Sequence, residues 1–172
     1  MKKLKDDLLP FLTREEISKL VKTLARQIEL DFDGQEVIFI CPLLGSIHFM
    51  ADLTREVRLK QQIDFVQLKS LSKRGTVQII KDLSTDITGK HVIIIEEIID
   101  SGRRVSFLRN HLAASNPASL KIVALIDKPA RREIPFRADY TGKVIDDRYV
   151  VGYGMDSESL GRNYPDIYTL MN

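Results

Sequence analysis

Apolar residues recur along this chain with two different periods, and the switches between them mark out its elements. Ile17, Leu20, Val21, Leu24 and Ile28 fall at helical spacing. Thr13 and Glu16 stand just ahead of that run as a capping box, so a helix is predicted from about Arg14 to about Glu29. Asp33-Gly34 breaks it. Val37-Ile38-Phe39-Ile40-Cys41 is apolar without alternation, the mark of a short strand covered on both faces, and Pro42 is expected to stop it. A loop through Gly45-Ser46 leads into a helical stretch from about Phe49 to Val57, and Ile63 to Leu68 then alternates as a strand with one wetter face. Strand, helix and strand make a βαβ unit.

The succession returns further on. His91 to Ile95 reads as a strand, a glycine-containing turn follows, Val105, Phe107, Leu108 and Leu112 take helical positions, and Leu120 to Ile126 reads as another strand. Two such units imply an α/β fold with a central, mainly parallel sheet flanked by helices. Tyr140 to Val144 and Tyr149 to Tyr153 predict short strands between charged turns, and Asn163-Tyr164-Pro165 precedes a last apolar stretch. No repeat, linker or low-complexity segment interrupts the pattern, so residues 1–172 are expected to form one domain.

Composition narrows the function classes. A length of 172 residues, 44% of them hydrophobic, suits one core. With 26 basic against 24 acidic side chains the net charge is only +2, short of the cationic stripe of a dedicated nucleic-acid binder. The lone Cys41 excludes a disulfide framework or a thiolate metal cluster and points to a reducing compartment. The first ten residues carry charge too early for a signal peptide, and no run has membrane-spanning length; a soluble cytoplasmic protein is expected. His48, His91 and His111 are scattered without metal-ligand spacing, and neither a nucleophile elbow nor a Walker-type loop occurs.

The chemistry concentrates after the strand ending at Ile95, in Glu96-Glu97-Ile98-Ile99-Asp100-Ser101-Gly102-Arg103-Arg104. Ligands of open parallel sheets bind beyond the carboxyl ends of the strands. N–H groups from Ser101 to Arg104, at the positive end of a helix, suit a phosphate monoester; Gly102 allows close approach and the Ser101 hydroxyl adds a donor. Carboxylates beside a phosphate repel it unless they serve hydroxyls or a hard cation, and a ribose 5-phosphate supplies both needs. Because side chains alternate along a strand, at most one of Glu96 and Glu97 is expected to face the site.

This segment resembles the signature of phosphoribosyltransferases. Leu43-Leu44-Gly45-Ser46 with Phe49 to Leu53, Lys81-Asp82-Leu83 with Asp86-Ile87 and Gly89-Lys90, Asn116 to Pro129 with Arg131-Arg132, and Val150 to Asp156 with Arg162 extend the resemblance to the hypoxanthine-guanine branch over nearly the whole chain. The resemblance implies the type I phosphoribosyltransferase fold with a small hood built from the chain ends. It also implies Mg²⁺-dependent transfer of phosphoribosyl from phosphoribosyl pyrophosphate to a 6-oxopurine such as hypoxanthine or guanine, in a homodimer or homotetramer. Carried over by residue, Asp100 is the general base. Glu96 and Glu97 hold ribose hydroxyls and metal, with Ser101, Gly102, Arg103 and Arg104 at the ribose 5-phosphate. Lys128, Tyr149 and Val150 bind the purine; Leu44, Gly45 and Arg162 bind pyrophosphate; Asp156 takes a second Mg²⁺; Ser70 and Leu71 open the mobile loop.

The chain departs from the family pattern at several of these positions. Leu44 replaces a basic residue, Leu71 a tyrosine, Glu97 an aspartate, Arg104 a threonine and Asp146 a proline, and the segment from Ser70 to Val77 is short, with Lys73-Arg74 as its cations. Two further readings stand beside purine salvage. One is a regulatory nucleotide-binding relative, with a basic face of Arg103, Arg104 and Arg131 as a mark of RNA binding; the other is transfer to a different base.

Overall fold

A computed structural model of the protein describes residues 8–70 and 76–170. The elements run β1 (Leu8–Leu12), α1 (Arg14–Asp31), β2 (Glu36–Leu43), α2 (Ile47–Glu56), β3 (Lys60–Ser70), β4 (Val77–Lys81), β5 (His91–Ile99), α3 (Arg103–Ala113), β6 (Ser119–Asp127), β7 (Tyr140–Val144), β8 (Val150–Val151) and β9 (Ile167–Leu170). Thr13 starts α1 as its sequence predicts: its hydroxyl accepts the Glu16 N–H at 3.2 Å, and Glu16 Oε2 accepts the Thr13 N–H at 2.8 Å. The helix then buries Ile17, Val21, Leu24, Ala25 and Ile28 on one stripe.

Six strands form the main sheet in the order β4-β3-β2-β5-β6-β7. Its pairs are parallel except the β3–β4 hairpin. Side-chain alternation divides the core between two faces. Val37, Phe39, Cys41, Ile93, Ile95, Val123 and Leu125 pack under α1 and α2. Ile38, Ile40, Val92, Ile94, Ile122 and Ala124 pack under Val105, Leu108 and Leu112 of α3. The unbroken apolar runs of β2 and β5 are thus strands covered on both sides. β1, β9 and β8 make a separate antiparallel sheet from the two chain ends, which is the expected hood.

Chain direction through the sheet reverses between its middle strands. From β2 the chain crosses by α2 to β3, and from β5 it crosses by α3 to β6 on the other side, so β2 and β5 flank the topological switch point. They pair only from Val37–His91 to Ile40–Ile94 and then part, opening a cleft at their carboxyl ends.

Several expectations are corrected. Pro42 does not stop β2, which continues to Leu43 paired with β3. β2 has by then lost β5 as a neighbour, and an imino nitrogen is tolerated where a strand is paired on one side only. β5 runs on to Ile99, so Glu96 and Glu97 lie within a strand and not after it. The run from Tyr149 to Tyr153 keeps only Val150–Val151 as strand, because Tyr153 turns to a positive φ of 49°. β1 and β4 are strands that the apolar pattern did not mark.

Candidate active site

Both acids of β5 border one cavity of about 250 Å³, lined by residues from Glu96 to Gly102 with Arg104 and Val105. Both acids line the cavity although side chains alternate along a strand, and the two faces of β5 change places just beyond them. Ile93 and Ile95 point under α1 and α2, but beyond the acids Ile98 takes that side and Ile99 packs on the α3 side. Both carboxyl groups are buried, at 4% and 8% exposure. Burial pushes the Glu96 carboxyl up to about 8, against the pull of the Arg104 cation, and it raises Glu97 as well. Glu96 Oε1 is buried with no hydrogen-bond partner. An orphaned carboxylate oxygen at a cavity is satisfied by a hydroxyl or a hard cation. No group of three or more His, Cys, Asp or Glu among the described residues forms a metal centre by itself. A cation here therefore fits as one held by the acid pair together with substrate oxygens and water.

The floor of the cavity is the turn into α3. Gly102 is the N-cap at φ 83°, and a Cβ there would come within 3.1 Å of the Ile134 carbonyl oxygen, so both backbone and space call for glycine. The first turn of α3 leaves the Arg104 and Val105 N–H groups without intrahelical acceptors, facing the acid-lined cavity at the positive end of the helix. The Arg103 N–H is differently disposed, turned to Ser101 Oγ at 3.4 Å. Its guanidinium pairs with Glu133 and lines a separate groove with Val77 and Phe107, so Arg103 meets the turn through its backbone N–H and not through its side chain.

Across the cleft the loop after β2 closes in. The Leu43–Leu44 peptide is cis, and the Leu44 side chain is 56% exposed. A Cβ on Gly45 would lie 1.8 Å from Glu97 Oε1, and one on Gly154 would lie 1.8 Å from the Gly45 carbonyl oxygen. Three chain segments thus meet at van der Waals limit around glycines. Ser46 anchors the loop, donating to the Pro42 carbonyl at 2.5 Å. Arg162 donates to the Gly154 carbonyl at 2.6 Å and pairs with Asp156 at 2.6 Å, so these two expected ligand residues hold each other.

On the far side, Asp100 pairs through Oδ1 with Arg131 Nε at 3.0 Å. Lys128 is buried at 7% exposure, takes its backbone position by donating to the Ile99 carbonyl at 3.0 Å, and extends its ammonium to the Arg148 carbonyl at 2.5 Å. Tyr149 follows at once, half exposed, its hydroxyl donating to the Asp156 carbonyl at 3.1 Å, and Val150 is buried in β8. Asp146 stands in this turn bound to Arg148, whose guanidinium also stacks 4.7 Å over the Phe11 ring. The structure brings Asp100, Lys128 and the Tyr149 turn to one side of the cleft.

Arg132 is a site residue that spacing along the chain did not single out. From a partly buried position it pairs with Asp127 and donates to the backbone carbonyls of Ile99 and Asp100, fixing the chain that carries Asp100. The signal was the doubled Arg131-Arg132 after Lys128-Pro129, which alone says nothing of partners. The basic face of Arg103, Arg104 and Arg131 does not form: Arg103 and Arg131 are spent on Glu133 and Asp100, and Arg104 faces the acids. Ser70 ends β3 opposite Val77, while Leu71 and Lys73-Arg74 lie outside the described residues. The histidines are accounted for locally, His91 by Ser119, His111 by Asp82 and His48 by the ring of Tyr153.

A parallel sheet whose switch point carries a glycine turn, a helix start and two buried acids defines an α/β protein built to hold a phosphorylated sugar. Comparison with known proteins narrows this. Residues 11–158 match the family model described as the phosphoribosyl transferase domain. The hypoxanthine-guanine phosphoribosyltransferase of Aquifex aeolicus is 37% identical over 98% of each chain. That of Staphylococcus aureus is 40% identical over 92% of this chain and 91% of its own. Among solved structures, a hypoxanthine-guanine phosphoribosyltransferase of Bacillus anthracis superposes with a TM-score of 0.92 at 40% identity, over 95% of this chain and 98% of that one. The chain belongs to the phosphoribosyltransferases, in the hypoxanthine-guanine branch, and is a transferase of purine salvage.

Proposed function

We infer that the chain transfers the 5-phosphoribosyl group of phosphoribosyl pyrophosphate to hypoxanthine or guanine, giving the nucleoside 5′-monophosphate and pyrophosphate. The observation that carries this reading is the buried pair Glu96 and Glu97 opening into the same cavity as the Gly102 turn and the start of α3. Hydroxyl-seeking acids and a phosphate-seeking helix end are what a ribose 5-phosphate requires side by side.

In this reading the α3 N–H groups, Ser101, Gly102 and Arg104 hold the 5′-phosphate. Arg104 stands in for a hydroxyl donor with a charged fork. Glu96 and Glu97 take the ribose hydroxyls and Mg²⁺, which when bound neutralises charge on the departing pyrophosphate. The Leu44–Gly45 backbone and Arg162 receive the pyrophosphate, and Asp156, now paired with Arg162, would hold a second Mg²⁺. Lys128 exchanges the Arg148 carbonyl for the purine 6-oxo group, Tyr149 stacks on the ring, and the Val150 backbone reads its edge. Asp100 accepts the purine proton as the new bond forms. A single domain over residues 1–172, a cytoplasmic location and a homodimer or homotetramer complete the proposal; light scattering on the eluting protein measures the last.

The test is turnover with phosphoribosyl pyrophosphate, Mg²⁺ and hypoxanthine, guanine or xanthine in turn. Monophosphate is expected from at least the first two, and Asp100→Asn is expected to lower kcat by about 10²–10⁴-fold. No product from any purine sinks the reading, and product from a different base moves the acceptor assignment.

A further inference from the structure

Arg131 sits between two acids from separate parts of the chain. Its Nε lies 3.0 Å from Asp100 Oδ1, at the end of β5, and 3.5 Å from Asp147 Oδ1, in the turn that leads to Tyr149. The residue is delivered by a short 3₁₀ turn, Pro129–Arg131, closed by the Arg131 N–H donating to the Lys128 carbonyl at 3.0 Å. One turn therefore carries both Lys128 and Arg131.

Among the described residues, the carboxylate it holds has no other side-chain restraint. Asp100 is 45% exposed, and among the described residues nothing donates to Oδ2. Arg132 fixes the Asp100 backbone through its carbonyl, which leaves the side-chain rotamer to Arg131 alone. A half-exposed aspartate without such a partner samples several rotamers, and a general base must lie within hydrogen-bond reach of one particular proton.

We propose that Arg131 is a positioning residue: it engages Asp100 Oδ1 so that Oδ2 is presented to the purine, and through Asp147 it ties that carboxylate to the turn carrying Tyr149. This rests on the transferase reading above and adds to it how the base is aimed. Arg131 touches no reacting atom. Its effect passes through Asp100 and is confined to the purine side, because the pyrophosphate is received across the cleft by Gly45 and the 5′-phosphate by backbone N–H groups of the α3 start.

The experiment is a double-mutant cycle on turnover with hypoxanthine, using wild type, R131M, D100N and D100N/R131M, with R131K beside them. R131M is expected to lower kcat about tenfold while leaving the KM for phosphoribosyl pyrophosphate unchanged. R131K, which keeps the charge without the planar fork, is expected to recover part of the loss. On the D100N background R131M is expected to cost nothing further, since the group it aims is already gone. The same fold-loss on both backgrounds, or a raised donor KM at unchanged kcat, overturns the inference. Thermal melting separates a folding defect: Arg131 is half exposed, so the variants are expected to melt with wild type. Should R131M melt early, the cycle is read with R131K, and an R131K that matches wild type in kcat overturns the inference. A wild type inactive on every purine overturns the transferase reading and this inference with it, whereas an active wild type with an additive cycle overturns this inference alone.

Discussion

At the scale of single residues, Glu96 shows how the fold prepares a carboxyl group for a ligand at a cost to itself. Burial raises its pKa from the ordinary 4.5 to about 8, so between those values the folded chain binds a proton that the unfolded chain releases. Its contribution to stability is whole below about pH 4.5 and is lost as pH rises through 8; Glu97 is shifted in the same direction. The metal-free protein is therefore expected to melt at falling temperature from pH 5 to pH 8, and Glu96→Gln is expected to flatten that slope. A slope unchanged in the variant would mean that the group titrates normally. Cys41 gives a second test, since burial raises its thiol to about 11: iodoacetamide should leave it unmodified in the native protein and label it in urea. The legibility of residues in the sequence followed their separation along the chain. Glu96, Ser101 and Gly102 make a local pattern around one strand end, and so could be read as a phosphate and hydroxyl site. The bonds of Arg131 and Arg132 to Asp100 span more than 30 residues, and no spacing announces them.

At the scale of elements, the long amphipathic pieces were readable, as was the short β7, whereas β1 and β4 were not. α1 announced both its stripe and its capping box, and β2 and β5 announced burial on two faces. β1 is held by pairing with β9 from the far end of the chain, a contact that local periodicity does not encode. The change of faces near the end of β5 was equally hidden, since nothing in Ile98-Ile99 says that alternation breaks there. The glycines of the loop after β2 make an element-level prediction. A methyl group at Gly154 would collide with the Gly45 backbone, at a φ of 99° that only glycine adopts with ease. Gly154→Ala is expected to cost about 1–3 kcal/mol in urea unfolding and to raise the KM for phosphoribosyl pyrophosphate, with the KM for purine little changed. Equal rises in both would show damage spreading beyond that loop. Thr13→Ala, by contrast, should remove about 1 kcal/mol of stability through its lost cap and leave turnover intact.

At the scale of the whole molecule, the sheet and its two apolar faces followed from the repeated strand-helix-strand pattern, while the order of its strands rests on contacts between distant segments. Phe39 stands at the centre, fully buried under α1 and α2, and its truncation to alanine is expected to cost about 3–5 kcal/mol in urea unfolding with an unchanged slope. The parting of β2 from β5 has a mechanical meaning. Past Ile40 and Ile94 the molecule is two half-sheets joined by a short seam, β4-β3-β2 on one side and β5-β6-β7 on the other. A donor whose 5′-phosphate rests on the second half and whose pyrophosphate rests on the first acts as a staple across that seam. Backbone amide exchange should consequently slow on both lips of the cleft, near Leu44–Ser46 and near Ile98–Ser101, when the donor binds. A purine alone, which in the proposed reading meets only the second half, should quiet one lip and leave the other breathing.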